Sequence, residues 1–461
     1  MDKVTKTGLY VYGRPLHNYG PSVAIYNTTF GRLVQEIGSL SVPSSERNAI
    51  LADCLDLMDI ACDFHTSEAI RQGRLEKTVE CLLPGDVKWC VSSSQPTADA
   101  LWTVGVNEAL LPYCLLELKN GHVSGDGRFQ NMLTYKAYIK LVCSNKSSYA
   151  CLSARSLCIT VQLSHNFHHL THFPAVLLSM TCERLDVDIV VLTDAVYRDH
   201  LLTLDLGIKF NDKDGSVQRL VQTVYALRRC LDGLREHYRS LMVSATPSNL
   251  VCFFPDPTAD PSVDHPAEYD PLPELSYFSK LDRSGREVLR LDPITRRGGA
   301  LFLAKLGDRP VLVKFTDRYN AKAHRLLANR KLAPHLHAFV RVVGGLMVVM
   351  DYLAPTQGRA LSGSERPFSE EVKAAVRLAL DVLHEHRIVF GDLRPQNVLQ
   401  LVPAPEGEPA AWLVDFDWAG EAGRAEYPLL MNTEVVWAKG MGRGELMKVE
   451  HDEGMFANMF P

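Results

Sequence analysis

The stretch Phe390-Gly391-Asp392-Leu393-Arg394-Pro395-Gln396-Asn397-Val398-Leu399-Gln400 decides how this chain is read. A carboxylate and an amide stand five residues apart in a polar turn that runs straight into apolar residues. Just upstream, Glu370–His386 has the apolar spacing of a helix. Just downstream, Leu413-Val-Asp415-Phe416-Asp417-Trp418-Ala-Gly420 reads as a short apolar strand ending in acids. Further upstream, Val311-Leu-Val-Lys314-Phe315 sets one lysine in an apolar strand, where an amine is costly unless an anion meets it. The residue types fit one chemistry. Asp392 can take a proton from a hydroxyl, and Asn397 and Asp415 can share Mg2+, a hard cation that prefers oxygen. Lys314 can meet phosphates. Phosphoryl transfer asks a protein mainly for positioning and charge neutralisation of this kind.

The three ordered segments resemble the protein-kinase signatures: the lysine of the third strand, the catalytic loop and the D-F-G metal site. The resemblance runs from about Ser276 to the end. It implies an α+β two-lobed protein-kinase-like domain that binds ATP with Mg2+ and acts on a Ser or Thr hydroxyl, a protein substrate included. Asp392 and Arg394 would be catalytic, Asn397 and Asp415 would hold the metal, and Lys314 the nucleotide. Met350-Asp-Tyr-Leu353 is similar to a gatekeeper and hinge, so backbone groups near Leu353 would read adenine. The departures are specific. Gly391 stands where most protein kinases have arginine, Arg394 where they have lysine, and D-F-G is Asp-Phe-Asp. The glycine-rich loop shrinks to Gly298-Gly299. No Asp or Glu occurs between Arg318 and Met350, where the helix glutamate that pairs with the strand lysine belongs. About forty residues follow Gly420, without an A-P-E segment, so a full substrate-binding lobe is expected to be missing.

An earlier pattern is separate. Pro96-Thr-Ala-Asp99 precedes Leu115-Leu-Glu117-Leu-Lys119-Asn120. Residues two apart share a strand face, so Glu117 and Lys119 project together from an apolar strand. Asp99 and Glu117 can hold Mg2+ while Lys119 steadies a water or the attacked phosphate, with Gln130 and Tyr135 of the next helix completing the pocket. This looks like the α/β PD-(D/E)xK, restriction-endonuclease-like superfamily, with Ala98 where the proline would stand. Glu117-Leu-Lys-Asn-Gly, Gly125-Asp-Gly-Arg-Phe-Gln130 and Asp415-Phe-Asp-Trp-Ala-Gly420 are joined by Tyr427-Pro428 and Glu450-His-Asp452. Taken together they resemble Crinkler-like fungal proteins, in which such a domain is fused to a compact kinase-like one. The resemblance implies DNA as a partner of the first domain.

The expected division is 1–244 for the nuclease-like domain, 245–275 for a connector crowded with prolines from Pro247 to Pro273, and 276–461 for the kinase-like domain. The 461 residues are 46% hydrophobic, and a net charge of −5 excludes a general basic field for nucleic acid. The scattered cysteines include no C-x-x-C pair and read as reduced thiols. No signal peptide and no apolar run of about 18 residues is seen, so the protein is expected to be intracellular, cytoplasmic or nuclear, without a membrane partner. His165, His168, His169 and His172 have helical spacing for zinc but no cysteine or carboxylate beside them, and read as a packed loop. Arg228, Arg229, Arg235 and Arg239 read as a solvated helix face before a phosphate-facing stripe. Leu301-Phe-Leu-Ala-Lys305, a match to a Crinkler translocation motif, reads as a strand. Three functions remain open: an ATP- and Mg2+-dependent Ser/Thr phosphotransferase, a Mg2+-dependent DNA endonuclease, and a nucleotide-sensing pseudokinase, which the missing helix acid favours.

Overall fold

The computed structural model describes residues 10–11, 21–37, 41–90, 98–106, 109–121, 126–143, 171–193, 196–209, 211–241, 254–261, 268–281, 287, 300–362, 367–403, 406–432 and 434–461. Gly298, Gly299, Pro96, His165, His168 and His169 lie outside them. The chain forms two compact units: Met1–Asp260 with Asp282–Gly299, and Pro261–Leu281 with Ala300–Pro461. The described parts of the proline-rich stretch are bonded locally. Asp256 N donates to Ile25 O at 2.7 Å in the first unit. In the second, Phe339 N donates to Asp270 Oδ2 at 2.8 Å and Tyr269 stacks on Phe339.

The first unit is a mixed sheet of β1 (Tyr10–Val11), β2 (Val87–Trp89), β3 (Ala100–Val106), β4 (Ala109–Lys119), β5 (Ala175–Thr181), β6 (Arg184–Leu192) and β7 (Val196–Asp205), in the order β1-β7-β6-β5-β4-β3-β2. Its helices are α1 (Thr28–Glu36), α2 (Ser44–Cys62), α3 (Glu68–Leu82), α4 (Gly127–Cys143) and α5 (Lys213–Arg239). Strands β2, β3 and β4 pair antiparallel; α4 then crosses so that β5 lies parallel to β4. Buried on both faces, β4 reads as an apolar run rather than an alternation, which makes Glu117 and Lys119 conspicuous. Ser67 caps α3 by accepting from Ile70 N.

In the second unit, β8 (Ser276–Leu281), β9 (Leu301–Leu306), β10 (Arg309–Thr316), β11 (Leu336–Val342) and β12 (Gly345–Asp351) form a five-stranded antiparallel sheet, ordered β11-β12-β10-β9-β8. The short helix α6 (Ala321–Ala328) follows β10. Beyond the sheet come β13 (Gly358–Ala360), α7 (Glu370–Glu385), β14 (Ile388–Val389), β15 (Val398–Leu401), β16 (Ala411–Leu413), β17 (Gly420–Glu421) and α8 (Val449–Met459). Ser369 caps α7, and Val372, Ala375, Val376, Ala379, Leu380 and Leu383 make its buried stripe. That stripe packs with Ala323, Leu327, Phe390, Val398, Leu413, Phe416 and Met455 in one core. A tight turn at Gly344–Gly345 joins β11, which begins at Leu336, to β12. Pro334, two residues before β11, supplies the loop signal that precedes the strand.

Candidate functional sites

In the second unit the catalytic-loop stretch is pinned from behind. Asp452, on α8 and 1% exposed, accepts from Phe390 N at 2.7 Å and from Gly391 N at 2.9 Å, and its Oδ2 lies 3.0 Å from His384 Nε2. Gly391 sits at φ +81°, where a side chain is strained, which accounts for glycine in place of arginine. The loop so held presents Asp392, 4% exposed. Arg394 grips it as a fork, Nε to Oδ1 and Nη2 to Oδ2 at 2.5 Å each. Asn397 Nδ2 donates to Asp392 Oδ2 and to its carbonyl, both at 2.9 Å. Burial raises the Asp392 carboxyl to about 6, against the pull of Arg394.

The Asp415-Phe416-Asp417 segment joins this loop through Val414 N, which donates to Asn397 O at 3.0 Å. Asp415 adopts φ +70°, a left-handed conformation uncommon outside glycine and one that clusters at functional sites. Along β10, Val311, Val313 and Phe315 are buried, so Lys314 and Thr316 share the opposite face. Lys314 Nζ donates to Asp415 Oδ1 and to Asp417 Oδ1, each at 2.6 Å, and Thr316 Oγ1 lies 3.1 Å from Asp417 Oδ2. Lys314 was expected to lack an orienting acid; the D-F-D segment supplies two. Burial disfavours its ammonium, but the two carboxylates more than offset this and raise its pKa. Burial likewise pushes Asp415 up, and Lys314 brings it below the ordinary value; Asp417 is raised by burial to about 7.

A stack of aromatic rings ties these parts together. His324 of α6 stacks on Phe416 at 4.8 Å, and Phe416 meets Phe390 edge-on at 5.6 Å. Burial lowers His324 to about 4, so it stays neutral, its Nδ1 2.8 Å from Tyr319 Oη and its Nε2 2.8 Å from Pro334 O. Met350 is buried in β12 and pairs with Leu312, while Leu353 follows that strand and leans over Gly358. Among the described residues, no three His, Cys, Asp or Glu side chains surround a cation position. The donor set still suits Mg2+: Asp415, with 38% of its side chain exposed, and the amide oxygen of Asn397 are hard oxygens in one loop cluster. Asp452 stands in the sequence only as the end of Glu450-His-Asp452, with no role, because its contacts are 61 and more residues away; His324, on a short helix, does not stand out at all.

In the first unit, Asp99, Glu117 and Lys119 converge. Asp99 Oδ2 accepts from Leu118 N at 2.6 Å, and Lys119 Nζ lies 2.7 Å from Glu117 Oε1. Glu117 is 0% exposed, its Oε2 has no hydrogen-bond partner, and burial followed by repulsion from Asp99 raises it to about 8. Glu68, which sequence reasoning missed, stands on α3 with Oε2 3.8 Å from Lys119 Nζ. One turn on, Arg71 donates to Lys119 O at 2.6 Å and to Cys182 O, holding α3 against the ends of β4 and β5. The start of α4 lies over the pair, where a Cβ on Gly127 would come 3.6 Å from Glu117 Cγ. Gln130 is half-buried in the first turns of α4, and its N–H donates to Asp126 O at 3.0 Å. Tyr135 does not join the pocket: it is fully buried and its hydroxyl donates to Phe173 O at 2.7 Å.

The other candidates serve packing. His172 Nε2 lies 2.7 Å from Phe254 O. Arg228 Nε donates to Leu82 O at 2.7 Å and Nη2 to Cys81 O at 2.5 Å, closing the C-terminus of α3. Arg229 pairs with Glu36 at 2.8 Å, and Arg235 with Asp232. Among the described residues no helix is long and apolar enough to cross a membrane.

Over 134 residues, 28% of this chain, the sequence is 26% identical to the serine/threonine-protein kinase greatwall of Homo sapiens and 27% identical to that of Mus musculus. Part of the chain is kinase-like. The chain spans only 15% and 16% of the lengths of those two proteins. The kinase PK-1 of the Cydia pomonella granulovirus overlays on 40% of this chain and 68% of its own, with 19% identity and a TM-score of 0.30. No family model matches the chain.

Proposed function

We propose that the second unit transfers the γ-phosphoryl group of ATP to a Ser or Thr hydroxyl of a protein. The observation that carries this is the convergence of Lys314, Asp392, Asn397 and Asp415 from three separate segments into one hydrogen-bonded cluster. Asp392 accepts the hydroxyl proton through Oδ1, which carries one hydrogen bond from Arg394 and keeps a lone pair. The hydroxyl oxygen bonds to the γ-phosphorus as the bond to the β,γ-bridging oxygen breaks and ADP leaves. Lys314 faces the phosphates, and the backbone by Leu353 the adenine. Asp415 and Asn397 would hold Mg2+, which would neutralise phosphate charge there. Transfer of label from ATP to general protein substrates tests this. An Asp392→Ala chain as active as wild type would remove the reading.

A second reading concerns the first unit alone: a Mg2+-dependent nuclease site of Asp99, Glu117 and Lys119, with Gln130 beside them and DNA as substrate. Its support is Glu117, a buried carboxylate with an unpartnered oxygen beside an acid, a lysine and Glu68. The pairing of the two units in the manner of Crinkler-like proteins belongs to this same proposal. DNA cleavage that survives Glu117→Ala with Lys119→Ala would come from a contaminant.

A further inference from the structure

Lys314 stands between two carboxylates that are held differently. Asp417 is met by two residues of one strand face, Lys314 at 2.6 Å and Thr316, whose single hydroxyl proton is shared between Asp417 and Arg318 O at 3.1 Å each. Asp415 instead follows Val414, which is bonded to the catalytic loop at Asn397, and 38% of its side chain is exposed. The helix beside the strand has nothing to offer Lys314. The chain has no acid from Tyr319 to Val349. The Asn320 amide donates to Ala419 O at 3.1 Å and its Oδ1 accepts from Ala323 N at 2.9 Å. His324 is neutral and stacked on Phe416.

We propose that Asp417 is the positioning residue for Lys314, replacing a helix-borne acid, so that Asp415 can be released to Mg2+ when nucleotide binds. The proposal deepens the phosphotransfer reading and rests on it for its nucleotide. An ammonium has three donors. With one fixed on Asp417, Lys314 keeps its place when Asp415 turns to the cation, and its other donors meet phosphate oxygens. Without Asp417, the amine has Asp415 as its acid partner and competes with Mg2+ for it.

The test is binding of a fluorescent ATP analogue to the full chain, titrated with Mg2+. Asp417→Asn is expected to raise the half-saturating Mg2+ concentration roughly tenfold, the scale of one charge-assisted hydrogen bond. Asp415→Asn is expected to flatten the Mg2+ dependence instead. Thr316→Val, which loosens Asp417 without changing charge, shifts the midpoint in the same direction by roughly threefold, and covers the case in which Asp417→Asn fails to fold. A midpoint unchanged in both Asp417→Asn and Thr316→Val overturns the proposal, as does an Asp417→Asn response that matches Asp415→Asn. Labelling of Lys314 by an amine-directed reagent, read by peptide mass spectrometry without nucleotide, separates the two claims. If wild type binds no nucleotide, the phosphotransfer reading fails. The positioning role then still requires faster Lys314 labelling in Asp417→Asn than in wild type, and equal labelling overturns it.

Discussion

At Asp392, burial and a guanidinium act in opposite directions, and burial wins, raising the carboxyl to about 6. A base must be ionised to accept a proton. Phosphotransfer by the wild-type chain is therefore expected to rise about tenfold per pH unit below roughly pH 6 and to flatten above it. A rate that stays level from pH 5 to pH 8 contradicts the assignment. Glu117 carries the larger shift, to about 8 from an ordinary 4.5. The folded chain then binds a proton between those values that the unfolded chain does not. Folding is thus unpenalised below pH 4.5 and loses stability as pH rises towards 8. Glu117→Gln removes the charge that causes this. Its stability advantage over wild type should be near zero at pH 4.5 and grow to roughly 3–5 kcal/mol above pH 8. Denaturant unfolding at several pH values measures it, and a difference that does not change with pH refutes the buried-charge account. Added Mg2+ should narrow the gap at pH 8 if the cation binds there.

Among the elements, α8 does for the Phe390–Asn397 loop what no local residue can. Phe390 N and Gly391 N are buried, and Asp452 alone satisfies both with its two oxygens. Asp452→Ala leaves two donors unpaired, so the second unit is expected to lose roughly 2–5 kcal/mol, with Asp452→Asn losing about half as much. Urea midpoints check this; an Asp452→Ala midpoint equal to wild type would mean that the loop holds itself. Arg228 does similar work in the first unit, covering two end carbonyls of α3. Arg228→Ala should cost roughly 1–2 kcal/mol without selectively weakening DNA binding, which a salt titration of binding would show. The sequence pattern disclosed α7, with its strong periodicity, and the strands β9 and β10 close to their ends. Strand β6 is harder to read, because Asp186 and Asp188 interrupt its apolar run. Those acids are tolerated because Arg184 on the same strand, Thr203 and His200 on β7, and Arg128 on α4 meet them. Thr203, His200 and Arg128 are twelve or more residues away and leave no mark in local spacing.

For the molecule as a whole, order and spacing along the chain marked Lys314, Asp392, Asn397 and Asp415 as one group, and their hydrogen bonds bring them together. The replacement for the missing helix acid was harder to see. Asp417 appeared as a departure from D-F-G, and only the sheet register, which turns Lys314 and Thr316 to one face, gives it a partner. The same division by residue type sets up a test of the two sites against each other. Every side chain of the phosphotransfer cluster belongs to the second unit, and Asp99, Glu117, Lys119 and Glu68 belong to the first. Groups that share no partner contribute independently, to within a few tenths of a kcal/mol. Asp392→Ala should therefore abolish phosphotransfer while leaving Mg2+-dependent DNA cleavage within about twofold of wild type. Glu117→Ala with Lys119→Ala should do the reverse. Parallel assays of both activities on the three full-length chains decide it. Loss of both activities in either variant would show that one chemistry depends on the other, and the independence of the two sites would have to be given up.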